Sequence, residues 1–376
     1  MNENNTDGAM PEDGKKRDLK RTVLRLGGIV LAALLVLALI AAGAAKYYLG
    51  KIERYGAEDD YTMSEEEIRL MEEEIIRQER EEAAQSQTEA PTKAQTTPTE
   101  QTEATTQPPT DETAAPTEKT VPPAEEEDYE VVNILLIGQD RRNAYERAQS
   151  DSMILCTIDK ADNTVTMTSF LRDLYVQIPG YNDNRLNAAY PIGGMKLLDK
   201  ALEVNFGVEV DANVEVDFAG FEAVVDAMGG VDIEMTEEEV EHLAEFYDYH
   251  HLVPGVNHLS GEEALAYSRI RYIDSDFQRS GRQRAVLAAL IHSIRGANLA
   301  QLFSLMDTVL PLIKTDMTDA EILGYVVDFF PMLSDCRIVT QRIPLDDGFE
   351  YAEERGMSVI KAFPNMTRRL LEEITN

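Results

Sequence analysis

From Leu26 to Ala45 the chain runs for 20 residues without a charge, and Leu, Ala, Ile and Val fill most of them. That length matches what a helix needs to cross a hydrocarbon core. A buried core helix of a soluble domain would not need the basic flank before it, formed by Lys15, Lys16, Arg17, Lys20, Arg21 and Arg25. Excess Lys and Arg marks the cytoplasmic side. Residues 1–25 are therefore expected to form a cytoplasmic tail and residues 26–45 a single-pass transmembrane helix, with everything after Lys46 outside. Tyr47 and Tyr48 suit the far interface. A signal peptide cleaved near Ala42, Gly43, Ala44 and Ala45 is the alternative, but its apolar stretch would be shorter.

Residues 46–85 follow as a juxtamembrane region. Its second half, 64–85, reads as a charged helix with a thin apolar stripe of Ile68, Met71, Ile75 and Ile76. So narrow a stripe predicts a solvated stalk more readily than a coiled coil. Residues 86–127 then change to Thr, Pro, Gln, Glu and Ala without one aromatic residue. Such a composition buries too little apolar surface to offset its ordering entropy. It predicts a disordered tether with a reach of roughly 35 Å.

The folded domain is expected over 128–376. Strand patterns lie at Val131–Gly138, Ser152–Asp159, Thr164–Phe170, Asp173–Pro179, Val214–Val216, Val231–Met235 and Cys336–Ile343. Helical patterns lie at Met195–Asn205, Phe218–Met228, Arg282–Ile294, Gln301–Ile313 and Asp319–Leu333, and Ser260 resembles a helix start ahead of Ala264–Ser268. Strands interleaved with helices predict an α/β fold, a mixed central sheet flanked by helices.

The formal net charge of −34 argues against a nucleic acid partner, which needs a basic surface. Cys156 and Cys336 lie far apart in apolar contexts and read as two buried thiols. The stretch holding His242, His250 and His251 reads as a polar loop in preference to a metal site. No nucleophile elbow, zinc-protease helix or P-loop lysine is present.

What stands out is charge at strand ends and around one helix. Asp140 and Arg142 follow one strand, Asp151 precedes the next, and Arg172 and Asp173 sit at a strand junction. A denser cluster holds Arg269, Arg271, Asp276, Arg279, Arg282, Gln283 and Arg284. Five arginines within 16 residues of so acidic a chain describe a selective phosphate site, because guanidinium forks match phosphate oxygens. Arg279, Arg282 and Gln283 are spaced to share a helical face. Asp140 and Asp151 suit Mg²⁺ held together with phosphate oxygens.

These residues lie within motifs that resemble the LytR-CpsA-Psr family of bacterial cell-envelope proteins. The matching pieces are NILLIGQDRR at 133–142, SDSM at 150–153, SFLRDLYVQIPG at 169–180, RLNAAY at 185–190, VEVDFAGFEAVVDAMGGVDI at 214–233, LSGEEALAYSRIR at 259–271 and DFQRSGRQRAVL at 276–287. Beyond about residue 295 the likeness fades. Leu171 stands where the family often has proline, and Arg185 where lysine is common.

The resemblance implies transfer of a glycopolymer, teichoic-acid-like or capsular, from an undecaprenyl-pyrophosphate carrier to peptidoglycan through a phosphodiester. It implies Asp140 and Asp151 as Mg²⁺ carboxylates and Arg142, Arg172, Arg185, Arg269, Arg271, Arg279 and Arg282, with Gln283, as pyrophosphate ligands. With no histidine in place, an aspartate is the expected proton acceptor, Asp151 ahead of Asp173. A non-catalytic polyprenyl-pyrophosphate binder and a pyrophosphatase are the competing readings, and the paired carboxylates argue against the first.

Overall fold

The computed structural model describes residues 41–56, 59, 61–88, 131–139, 149–270, 276–296 and 299–364. Residues 26–40 of the expected transmembrane segment lie outside these, as does nearly all of the Thr/Pro-rich linker. Residues 41–49 are helical, and among the described residues no helix is long and apolar enough to cross a membrane.

The first half of the chain contributes β1 (Glu53–Arg54), α1 (Glu65–Thr88), β2 (Val131–Gln139), β3 (Ser150–Asp159), β4 (Thr164–Phe170), β5 (Tyr175–Val176), β6 (Asn184–Arg185) and α2 (Ala189–Phe206). Then come β7 (Ala212–Asp217), α3 (Phe218–Ala227), β8 (Val231–Met235), α4 (Glu237–Tyr247), β9 (Gly255–Leu259), α5 (Gly261–Ser268) and α6 (Asp276–Gly296). The last stretch adds α7 (Leu299–Val309), β10 (Ile313–Thr315), α8 (Asp319–Phe329), β11 (Arg337–Ile343), β12 (Phe349–Glu354) and β13 (Met357–Ala362).

Seven strands form one mixed sheet in the order β1-β10-β7-β2-β3-β4-β11. The β1–β10, β2–β7 and β4–β11 pairs are parallel and the rest antiparallel. Both faces are covered, which is why the central strands read as continuous apolar runs. Leu135, Ile137, Met153 and Leu155 face a core shared with Leu198, Ala201, Leu202 and Phe206 of α2. On the other face Ile154, Cys156, Val165 and Met167 pack with Leu287, Ala288 and Ile291 of α6. Both thiols are free and buried in this second cluster, and burial pushes that of Cys156 up to about 12.

Several elements differ from the sequence expectation. The stretch read as a polar loop is largely α4, opened by a capping box between Thr236 and Glu239. Of the strand expected at Asp173–Pro179 only Tyr175–Val176 forms a ladder, with β6, and Leu174 adds a single parallel bridge to Ile360. The charged helix α1 does not stand free in solvent. Ile75 packs on Met357 and Val359 of the β12–β13 hairpin, while Ile68 and Met71 lie against the main core. Its inward acids are matched: Glu72 accepts from Asn184 (2.8 Å) and pairs with Arg355 (2.7 Å), and Glu79 pairs with Arg185. Since β1 also extends the sheet edge, chain on both sides of residues 89–130 belongs to one folded body.

Candidate functional site

Strand ends converge at one edge of the sheet. Gln139 at the end of β2 pairs with Ser150 of β3 and Asp217 of β7, and a register shift falls between Gly138 and Gln139. Such bulges re-aim side chains beside functional sites. Asp151 is next along β3, and the loop leaving β4 carries Arg172 and Asp173. Asp217 caps α3 by accepting from the Gly220 amide at 2.8 Å.

Helices α3, α5 and α6 close over this edge. α3 and α5 approach so closely that a Cβ on Gly261 would lie 2.2 Å from the Glu222 carbonyl oxygen, which makes glycine obligatory there. Between helices and sheet is a cavity of about 130 Å³. Leu136, Ile154, Val216, Phe218, Phe221, Leu265 and Leu287 give it apolar walls, and Asp151, Ser268, Arg269, Arg279 and Gln283 supply polar groups. Exposed Arg269 stacks on Phe218, its guanidinium carbon 4.6 Å from the ring centre.

Beside the cavity, Arg172 is the hub of an ion cluster. Its Nη1 donates to Asp151 at 3.0 Å, and its Nε lies 3.4 Å from Asp173 and 3.8 Å from Asp276. Asp276 also holds Arg279 at 3.0 Å. Burial opposes the Arg172 charge, but the three aspartates outweigh it and raise its pKa above the ordinary arginine range. Burial raises the pKa of Asp173, against the pull of Arg172 and Arg185; its hydrogen bond with Asp276 raises it further.

The residues singled out from the sequence thus separate. Asp151, Arg269, Arg279 and Gln283 line the cavity, and Arg172 and Asp173 stand directly behind Asp151. Arg185 does not line the cavity; it is held by Glu79, by Asp173 at 3.5 Å and by the Ser358 carbonyl oxygen at 3.0 Å. Arg282 is buried against Glu239 at 3.2 Å and the Ile270 carbonyl oxygen at 2.8 Å. At 100° per residue, positions 279 and 283 lie about 40° apart on a helix, whereas 282 is about 100° from 283. Asp140, Arg142 and Arg271 lie outside the described residues. Sequence reading had left Asp276 without a role and, for the walls, pointed only to the apolar helices downstream as a slot for a lipid tail. The walls were legible in part, as the β2 and β3 residues facing opposite to Leu135 and Leu155.

A sequence profile of the LytR_cpsA_psr family matches residues 84–362. The chain belongs to this family. The polyisoprenyl-teichoic acid–peptidoglycan teichoic acid transferase TagU of Bacillus cereus is 37% identical over 195 residues, half of this chain and 61% of that protein. The chain therefore spans about three-fifths of the length of this curated relative. Among solved LytR-CpsA-Psr structures, TagT bound to LIIa-WTA is 28% identical with a TM-score of 0.56, covering 65% of this chain and 90% of that one. TagT (YwtF) with bound octaprenyl pyrophosphate lipid is 26% identical with a TM-score of 0.52, covering 65% and 89%.

Proposed function

We propose that this protein transfers an anionic glycopolymer from an undecaprenyl-pyrophosphate carrier to peptidoglycan, working outside the cytoplasmic membrane as a single-pass protein with its N-terminus inside. One observation carries the reading: the cavity is apolar along its walls and presents Arg269, Arg279, Gln283 and Asp151 as polar groups. That combination suits a lipid tail joined to phosphates. The relatives point the same way, being named teichoic acid transferases or solved with a polyprenyl pyrophosphate.

In the proposed step a peptidoglycan hydroxyl oxygen attacks the phosphorus that carries the glycan. The new P–O bond forms as the bond to the carrier phosphate breaks, and undecaprenyl phosphate leaves. Asp151, partly exposed at the cavity, takes the hydroxyl proton, and Arg172 orients it through their 3.0 Å bond. Asp173 is buried behind Arg172 and serves to position it. Catalysis of this kind rests on positioning and charge neutralisation. Mg²⁺ fits the donor set, because a carboxylate stands beside arginines suited to phosphate oxygens; Asp151 would hold it with Asp140. When bound, the ion would neutralise phosphate charge, as Mg²⁺ commonly does through one or two carboxylates.

The test supplies the full chain in detergent with a polyprenyl-pyrophosphate-linked teichoic precursor and peptidoglycan fragments. Polymer should appear on the fragments with release of polyprenyl phosphate, and Asp151→Asn should stop both. Release of polyprenyl phosphate without polymer transfer would instead indicate a pyrophosphatase, with water in place of the sugar hydroxyl.

A further inference from the structure

Arg284 of α6 does not line the cavity and, among the described residues, pairs with no acid. It is 7% exposed, and its one side-chain hydrogen bond among the described residues is a long 3.4 Å contact to Ser280 Oγ. Its neighbour is a second cation, Arg342 of β11, which is stacked on Phe277 at 4.8 Å and, among the described residues, paired only with the exposed Asp346. Arg342 is in register with Ser169 of β4, so both side chains issue from the same face of the sheet, the one α6 covers. Among the described residues, Arg284 Nε, Arg342 Nε and Ser169 Oγ are buried without a hydrogen-bond partner. A buried guanidinium lacking a carboxylate is costly unless an anion completes it. Burial and Arg342 together lower the Arg284 pKa to about 10, as expected of a cation missing its counter-charge.

The group flanks the proposed reaction site. Arg284 follows Gln283 of the cavity, Phe277 follows Asp276 of the Arg172 cluster, and Ser169 pairs with the cavity residue Ile154. We propose that Arg284, Arg342 and Ser169 form a second oxyanion subsite that takes a phosphodiester of the polymer being transferred. This rests on the transfer reading above, and the two readings fail separately in the following test.

The full chain in detergent is titrated with octaprenyl pyrophosphate and, independently, with a short glycerol-phosphate oligomer and with inorganic phosphate. Arg284→Gln should weaken the oligomer about 10-fold or more and leave octaprenyl pyrophosphate within twofold. Arg269→Ala should do the reverse. Arg284→Met should melt no lower than the wild type, and the oligomer should raise the melting temperature of the wild type alone. Failure of the wild type to bind the oligomer overturns the subsite even if the lipid binds. So does equal loss of both ligands in Arg284→Gln, or inorganic phosphate binding as tightly as the oligomer. Failure of octaprenyl pyrophosphate alone to bind overturns the transfer reading instead.

Discussion

Arg279 and Arg282 lie three residues apart on one helix, both are buried, and they are used differently. Arg279 reaches the cavity through a site shared with Asp276, whereas Arg282 ties α6 to Glu239 of α4. The same division runs through the other arginines near the site: Arg269 faces the cavity, and Arg185 braces α1 and β13. Of the arginines that the sequence groups together, Arg269 and Arg279 line the cavity, whereas Arg282 and Arg185 are held by acids and backbone carbonyls elsewhere. A guanidinium serves equally well as a phosphate fork and as a buried clamp, and only its partners tell which.

The largest effect is expected from mutation at the clamp. Arg282→Ala leaves Glu239 buried without its partner and should cost about 3–5 kcal/mol of stability, read as a lower denaturant midpoint. Next in size is Arg269→Ala. It should change stability by less than about 1 kcal/mol, yet weaken octaprenyl pyrophosphate by roughly 1.5–3 kcal/mol, the worth of a hydrogen bond to a charged group. Equal destabilisation by the two variants would erase the distinction.

A smaller effect is expected where α1 docks. Ile75→Ala should destabilise by about 2 kcal/mol, as for a buried aliphatic truncation, with lipid affinity unchanged; a solvated stalk would show no loss. Smallest is the metal linkage. Octaprenyl pyrophosphate should bind about fivefold or more tighter in Mg²⁺ than in chelator, and Asp151→Asn should remove the difference while binding partly survives, since a carboxylate that repels phosphate is gone. Calorimetric titration of both proteins checks it.

The middle of the central sheet was plain in the sequence because β2, β3 and β4 are long, apolar and bounded by turns; Thr164–Phe170 matches the expected limits, as does Val231–Met235 of the separate β8–β9 pair. The Ser260 cap was equally visible, since its capping box is local. The equivalent box at Thr236 and Glu239 went unread because acidic residues crowd the start of α4 and mask its apolar positions. The role of α1 was hidden for a related reason. Glu72 and Glu79 look like solvent-facing acids until Asn184, Arg355 and Arg185, more than a hundred residues away, are folded against them. The helix expected at Gln301–Ile313 stops at Val309, because Leu310–Leu312 tighten into a 3₁₀ turn around Pro311 and Ile313 begins β10. In the site, sequence spacing located Asp151, Arg269, Arg279 and Gln283, but the directions of Arg185 and Arg282 depend on tertiary partners.

The central claim is that one cavity holds both the tail and the phosphates of a lipid pyrophosphate. The most direct measurement compares octaprenyl pyrophosphate, inorganic pyrophosphate and octaprenol as ligands of the full chain in one detergent. Octaprenyl pyrophosphate should bind roughly 100-fold or more tighter than inorganic pyrophosphate, since a few buried methylenes at about 0.8 kcal/mol each suffice. Octaprenol should bind far more weakly than the pyrophosphate lipid. Equal affinity for octaprenyl pyrophosphate and inorganic pyrophosphate would mean that the apolar walls take no tail, and would contradict the account.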